Sequence, residues 1–364
     1  MCPFWLAGRL SCLDEAARIV ELRNLACQSG LEFFAVVAYG AAQANVAAHL
    51  IALDWGTTSL RAYRFDGDGE IAESRELPLG ILRIASDGGA AAGFARAFDQ
   101  ACGDWRSARP ASAVIACGMI GSAQGWREAA YLELPASIDA LGRALTEVAT
   151  GGGGVLHIIP GLVARGPLPD VLRGEETQVA GAIDAGDPAA RSGADTWFCL
   201  PGTHAKWVRV RDRQIVELHT FMTGELFAAL CAHTILGRTM RPPPAPDDAA
   251  FDRGVAVARS PEARAGVLST MFSARTLGLV GALSAEAQAD YLSGLLIGHE
   301  IAAVARFAEP LGAIVLAGSD ELCRRYRRAL AGHGHAATAI APRATERGLW
   351  RIARAAGLVA GGPS

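Results

Sequence analysis

From residue 50 onward, short apolar runs alternate with turn signals in an order that the chain later repeats. Residues 50–54 form an apolar run that ends just before Gly56, and residues 60–65 return as a second strand. Asp66-Gly67-Asp68-Gly69 is a hairpin turn signal, so residues 71–77 are expected as a third strand. Phe94, Phe98, Cys102 and Trp105 then recur at helical spacing. Residues 113–117 read as a buried strand, 138–148 as a helix, and 155–159 as another strand.

The second half follows the same order. Residues 197–200 end at Pro201-Gly202, 206–210 return, and Asp212-Arg213 turns the chain into 215–221. The clearest later helix carries Leu292, Leu295, Leu296, His299, Ala303 and Phe307, with His299 read as a satisfied histidine at the core edge. Residues 313–316 form a strand ending at Ala317-Gly318. Ser319 is placed to cap the next helix, whose acidic start (Asp320, Glu321) and later arginines match the helix dipole. Pro242-Pro243-Pro244 marks a surface loop. The duplicated order predicts two similar α/β lobes with facing Gly-Thr turns and a ligand cleft between them.

Residues 1–49 fit this pattern poorly. The stretch 33–44 is slightly like a signal-peptide core, but Arg9, Arg18 and Arg23 before it are balanced by Asp14, Glu15, Glu21 and Glu32. A secretory signal needs a basic start. The segment, with its helix-like piece at 13–25, is expected to be a loosely attached, non-essential extension. The expected domains are then 50–172 and 173–364.

Composition narrows the class. With 51% hydrophobic and 20% charged residues, the 364-residue chain can bury large cores and is not a disordered one. No purely apolar run reaches about 18 residues, so nothing is expected to span a membrane. Lys+Arg is 34 against Asp+Glu 37, which leaves no net positive field for nucleic acid. The eight cysteines form no CxxC pair and no zinc-type spacing with histidine, so a reduced, cytoplasmic protein is expected. Lys206 is the only lysine, all other basic residues being arginine. A compact ammonium retained against that bias points to a chemical task, with chance survival as the alternative.

Chemistry concentrates in four segments. In the first, Asp54 ends a buried strand where a carboxylate can hold Mg²⁺, Gly56 permits close backbone approach, and Thr57, Thr58 and Ser59 offer an anion-binding hairpin with Arg61 behind it. Gly202 and Thr203 form a second candidate phosphate turn, followed by His204 and Lys206. Glu175 and Glu176, after Arg173-Gly174, open a helix. They read either as dipole-favoured caps or as the source of a general base for a hydroxyl. Finally, Ser122, Gln124 and Trp126, in a small-residue loop beside Arg127, read as contacts to a polyhydroxy compound or as a structural glycine loop.

Five strings in order carry a resemblance: LDWGTTSLR at 53–61, ACGMIGSAQGW at 116–126, RGEETQ at 173–178, LPGTHAKW at 200–207 and FMTGELF at 221–227. Together they resemble the sugar-kinase branch of the actin-like ATPase superfamily, and more closely the 2-dehydro-3-deoxygalactonokinase family, over roughly residues 50–359. The resemblance implies an α/β fold of two ribonuclease H-like (actin-like ATPase) domains flanking an interdomain cleft that takes ATP, Mg²⁺ and a sugar acid. It implies a first phosphate motif at Asp54, Gly56, Thr57, Thr58 and Arg61, a second at Gly202 and Thr203, and an adenosine turn at Gly318 and Ser319. The usual aspartate of the second motif is replaced by Leu200, which leaves Mg²⁺ dependent mainly on Asp54. The implied base is Glu175, with Glu176 close behind, and Lys206 would neutralise charge in transfer. The implied reaction is phosphorylation of 2-dehydro-3-deoxy-D-galactonate at its C6 hydroxyl in galactonate catabolism. Arg127 and Arg173 are the two candidates for holding the substrate carboxylate. The alternatives are a kinase of another sugar or sugar acid, or an actin-like ATPase switch without a sugar.

Overall fold

In strand β1 (Leu50–Trp55), Leu50 and Ala52 pack into one core while Ile51, Leu53 and Trp55 pack into another. Period-two alternation with both faces apolar makes this a central strand. The structure is a computed structural model that describes residues 49–84, 89–183, 195–308, 311–336 and 339–360. The expected extension, including the helix at 13–25, lies outside the described residues apart from His49. All the described residues belong to the compact unit Ala47–Ser364.

After β1 come β2 (Leu60–Phe65), β3 (Ile71–Leu77), helix α1 (Ala90–Ala108) and β4 (Ala113–Gly118). Then follow β5 (Tyr131–Glu133), β6 (Ala136–Ser137), α2 (Ile138–Arg143), β7 (Thr146–Ala149), β8 (Val155–Ile158), β9 (Gly161–Ala164) and β10 (Asp170–Leu172). The first large sheet has the order β3-β2-β1-β4-β8-β7, and β10-β9-β5 form a small one.

Helix α3 (Glu175–Ala182) leads into β11 (Thr196–Leu200), β12 (Ala205–Arg211) and β13 (Gln214–Phe221). A helical stretch follows: α4 (Thr223–His233), α5 (Asp248–Val257), α6 (Val267–Thr270), α7 (Ser273–Leu279) and α8 (Gln288–Phe307). The chain closes with β14 (Ala313–Leu316), α9 (Asp320–Gly332), β15 (Ala339–Ile340) and α10 (Ala344–Ala355). The second large sheet is β15-β14-β11-β12-β13-β6.

Each large sheet thus has an antiparallel three-strand meander next to a parallel strand, β1 with β4 and β11 with β14. The expected repeat is present. One face of each sheet points at a shared core, where Val179 and Ala180 of α3 and Leu349 and Ile352 of α10 lie among Ile115, Phe198 and Val315. The outer face of the first sheet is covered by Phe94, Phe98 and Trp105 of α1, and that of the second by Phe251, Ile301 and Tyr326.

One expectation needs correction. The helix expected over 138–148 stops at Arg143, and Thr146–Ala149 pairs antiparallel with β8 instead. At Gly142 the backbone of Ala355 and Ala356 packs so close that a Cβ would fall 2.8 Å from the Ala356 nitrogen. Beyond that crossing, Thr146 and Val148 favour the strand as β-branched residues. Helix α10 packs on α3 and α2 and reaches β1 and β4, and its Trp350 stacks on Phe65 of β2.

Turn and cap expectations hold. Asp212 and Arg213 have φ of 50° and 60°, as a two-residue hairpin requires, and Ser319 Oγ accepts from the Leu322 amide. His299 is satisfied by Thr270 Oγ1 at 2.7 Å. Cys102, Cys117, Cys199 and Cys323 are buried free thiols and Cys231 is a half-buried one. Among the described residues no helix is long and apolar enough to cross a membrane.

Candidate active site

Asp54 is the penultimate residue of β1, opposite Arg61 on β2 and beside Cys117 on β4. The turn after it is tight, with the Gly56 amide donating to Ser59 O at 2.9 Å. A second segment supports it from below: Ile81 N donates to Gly56 O at 3.0 Å and Leu82 N to Thr57 O at 3.1 Å. Gly80 makes that approach possible, since a Cβ there would lie 2.2 Å from the Thr58 backbone.

The second turn has the same position in the second sheet. Leu200 pairs with Lys206 as Asp54 pairs with Arg61. Its clamp is the start of α4, where the Glu225 amide donates to Thr203 O at 2.9 Å and the Glu225 carboxylate meets the His204 ring.

Helix α3 enters between the turns. Gly118, at the end of β4, has φ of 89°, and Gly174 has φ of 112°, conformations that favour glycine. The two touch, since a Cβ on Gly174 would lie 3.3 Å from Gly118 Cα. This contact brings the first turn of α3 to the end of β1. There the two glutamates diverge. Glu175 is partly exposed, and its Oε2 accepts from the Arg173 amide at 3.0 Å. Glu176 is 1% exposed and accepts from Gly174 N at 2.7 Å and Thr177 Oγ1 at 3.0 Å.

A cavity of about 310 Å³ joins these parts. Asp54, Gly56 and Thr57 line one side, and Leu200, Gly202, Thr203 and His204 another. Arg173, Gly174, Glu175 and Gln178 form its back, and Thr345 reaches it from α10. Sequence reading missed Thr345 and Gly80. A threonine near a helix start signals only capping, and an isolated glycine only a bend. Gln178, Gly224 and Glu225 lay inside the resemblance-carrying strings without an assigned task.

Other expected residues stand elsewhere. Thr58 and Arg61 are exposed outside the cavity lining, and Arg61 bonds Glu76 at 3.3 Å. Gly318 and Ser319 are exposed beside the second turn, a Cβ on Gly318 falling 3.2 Å from Pro201 O. Ser122 Oγ donates to Met119 O at 2.7 Å, Trp126 stacks on Phe94, and Gln124 and Arg127 are exposed; none of the four lines the cavity. Lys206 does not face the cavity as expected of a phosphate-neutralising cation. It is 7% exposed, with its ammonium held by Val171 O and Thr220 Oγ1.

Arg173 does line the cavity. Its guanidinium lies over the Tyr131 ring at 4.2 Å and donates to Ala129 O at 2.8 Å, while the buried Nη1 has no hydrogen-bond partner.

Burial pushes the Asp54 carboxyl up to about 6 against the pull of Arg61, with the negative charges of Glu346 and Glu175 adding to the rise. Burial likewise pushes Glu176 up to about 7, helped by Glu175. A carboxylate in so negative a neighbourhood suits a hard divalent cation. Among the described residues no group of three acidic, His or Cys side chains could hold a metal. The Asp54 carboxylate on the cavity wall is a donor of the kind Mg²⁺ takes, since that ion uses few protein carboxylates and completes its shell with phosphate and water.

The chain is similar to known proteins. Residues 54–352 match the family described as 2-keto-3-deoxy-galactonokinase. The 2-dehydro-3-deoxygalactonokinase of Escherichia coli (strain K12) is 35% identical over 310 residues, covering 85% of this chain and 98% of the relative. A relative from Rhizobium meliloti (strain 1021), which bears the same enzyme name provisionally, is 38% identical over 320 residues with the same coverage. The crystal structure of a candidate 2-dehydro-3-deoxygalactonokinase from Sinorhizobium meliloti superposes with a TM-score of 0.75 at 35% identity, covering 84% of this chain and 98% of that one.

Proposed function

The chain belongs to the 2-keto-3-deoxy-galactonokinase family, and on that premise we propose that it transfers the γ-phosphoryl group of ATP to the C6 hydroxyl of 2-dehydro-3-deoxy-D-galactonate in the cavity between its two Gly-Thr turns. The observation that carries this reading is the convergence of Asp54, Glu175, Thr57 and Thr203 on one cavity. A switch ATPase needs no carboxylate beside its phosphate turns to take a proton from a hydroxyl.

The two sheets are read as ribonuclease H-like, actin-like domains, 50–172 and 173–364, with α10 returning to the first. The turns at Gly56-Thr57 and Gly202-Thr203 hold phosphate oxygens through amides and hydroxyls. Gly318 and Ser319, beside the second turn, border the adenosine. Asp54 would hold Mg²⁺, and the ion when bound would neutralise charge on the phosphate oxygens.

Glu175 is the base. It faces the cavity, whereas Glu176 is enclosed and bonded to Gly174 and Thr177. Its carboxylate takes the proton of the C6 hydroxyl as that oxygen attacks the γ-phosphorus. The new O–P bond forms as the bond to the bridging oxygen breaks, and ADP leaves. Phosphoryl transfer asks mainly for such positioning. Arg173 holds the substrate carboxylate, since it is the arginine that lines the cavity. The loop from Gly118 to Trp126 supports this wall, with Ser122 and Trp126 holding its shape.

The test is coupled ADP release across 2-keto-3-deoxy sugar acids and neutral sugars. ADP release that depends on the keto-deoxy acid is expected. A neutral hexose as the preferred acceptor would discard the substrate, and ATP turnover indifferent to any sugar would point to a switch.

A further inference from the structure

Glu300, near the middle of α8, is 3% exposed within a core formed by Trp197, Cys199, Phe251 and Ile301. Three donors from three elements meet its carboxylate. Trp207 Nε1 donates to Oε1 at 2.8 Å, Tyr326 OH donates to Oε2 at 2.8 Å, and Thr223 Oγ1 donates to Oε2 as well. No ion pair to Glu300 occurs among the described residues. Burial pushes its carboxyl up to about 7 although all three hydrogen bonds pull the other way. A well-packed apolar residue is often at least as stabilising in such a place, so packing by itself does not account for a glutamate.

The donors do account for it. Trp207 sits on β12, the strand that leaves the second turn, three residues after His204. Thr223 opens α4, and the two residues after it grip that turn. Gly224 is packed so closely that a Cβ would fall 2.3 Å from Gly202 O and 2.9 Å from Thr203 Cα. Glu225 binds the Thr203 carbonyl through its amide and the His204 ring through its carboxylate.

We propose that Glu300 is a positioning residue for the second phosphate turn, fixing Trp207 behind it and Thr223 beside it so that Gly202 and Thr203 keep their aim into the cavity. Glu300 does not line that cavity. It acts through Thr223 and Gly224. The inference rests on the reading of this turn as a binding site for the phosphates of ATP. Loss of the contact therefore falls on ATP and leaves the sugar-acid side unchanged.

Three variants of the full chain test this, with kcat and both KM values measured beside Tm. Thr223→Val removes one hydroxyl at nearly constant shape and is expected to raise KM for ATP about three- to tenfold, with KM for the sugar acid unchanged. Glu300→Leu is expected to do more. Glu300→Gln is expected to recover most of the loss, because its amide oxygen can accept from Trp207 while its NH₂ donates to the Thr223 and Tyr326 hydroxyls, which can turn to accept. If Thr223→Val and Glu300→Leu lower Tm but leave KM for ATP unchanged, Glu300 is only structural and the proposal falls. Should Glu300→Leu fail to fold, Thr223→Val and Glu300→Gln still decide. Thr203→Val is the control: if it leaves KM for ATP unchanged, the phosphate reading of the turn fails and takes this proposal with it. If Thr203→Val matters and Thr223→Val does not, this proposal alone fails.

Discussion

Lys206 donates from its ammonium to the carbonyl oxygen of Val171 at 3.0 Å, tying β12 of the second large sheet to β10, the strand that leads into Glu175. Its second bond, 2.7 Å to Thr220 Oγ1, continues through the Thr220 hydroxyl to Asp170 Oδ1 at 2.6 Å. Cation and carboxylate are thus joined through one hydroxyl in a nearly closed space. The compact ammonium reaches both acceptors here, and a planar guanidinium fork is a different shape for that task.

Lys206→Met is accordingly expected to destabilise the protein by about 1–3 kcal/mol, the usual range for a buried acceptor left unsatisfied. Lys206→Arg is expected to be no better tolerated, and both should lower kcat by shifting the approach to Glu175. Denaturant unfolding and steady-state kinetics check this. Wild-type stability in both variants would return Lys206 to a chance survivor.

Glu175→Gln is expected to lower kcat by roughly 10²–10⁴, the range for loss of a general base, with ATP binding retained. Glu176→Gln should keep far more activity, because its carboxylate is turned inward to Gly174 and Thr177. Single-turnover kinetics separate the two. Were Glu176→Gln the inactive variant, the assignment of roles would be reversed.

Asp54→Asn keeps shape and removes charge, so the fold should survive while turnover is lost. The diagnostic readout is nucleotide affinity with and without Mg²⁺. Wild type should bind ATP more tightly with the ion, and the variant should be insensitive to it. A variant that still responds to Mg²⁺ would place the metal elsewhere.

The raised carboxyl of Glu176 makes a prediction about pH and stability. Between its ordinary value of 4.5 and about 7, the folded chain keeps a proton that the unfolded chain has released. Stability from this group is therefore complete below 4.5 and lost as pH rises through 7, a change of about 1–3 kcal/mol. Glu300 acts in the same direction. Glu176→Gln has no such proton to lose, so its Tm relative to wild type should rise from pH 5 to pH 8. An offset constant across that range would show that Glu176 does not titrate there.

Arg173→Ala should weaken kcat/KM for the keto-deoxy acid about ten- to a hundredfold, the effect of one lost charge-assisted bond. Arg127→Ala, exposed and outside the cavity, should change it little. Gly121→Ala tests the same pocket from outside, since a Cβ there would lie 2.8 Å from Arg173 Nη1. The comparison needs kcat/KM for the acid beside a neutral sugar. A loss in Arg127→Ala alone would transfer the carboxylate site to that residue.

The sequence by itself determined what neighbouring residues decide. The strands of both repeats follow from short apolar runs bounded by turn signals, the Asp212-Arg213 hairpin from turn chemistry, and the Ser319 cap from side-chain reach to an amide three residues on. The strings around Asp54, Glu175 and Gly202 were legible as candidates because each is one continuous stretch of chain. Tertiary structure decided the rest. It ended the helix after Arg143 where α10 crosses Gly142, brought Thr345 to a cavity opened by Asp54, and turned Lys206 toward Val171 and Thr220. It also pointed Glu175 into the cavity and Glu176 into the core through the Gly118–Gly174 contact. Each of these outcomes depends on a partner distant in the chain, and local propensity carries no information about which distant surface will arrive or how much water it will exclude.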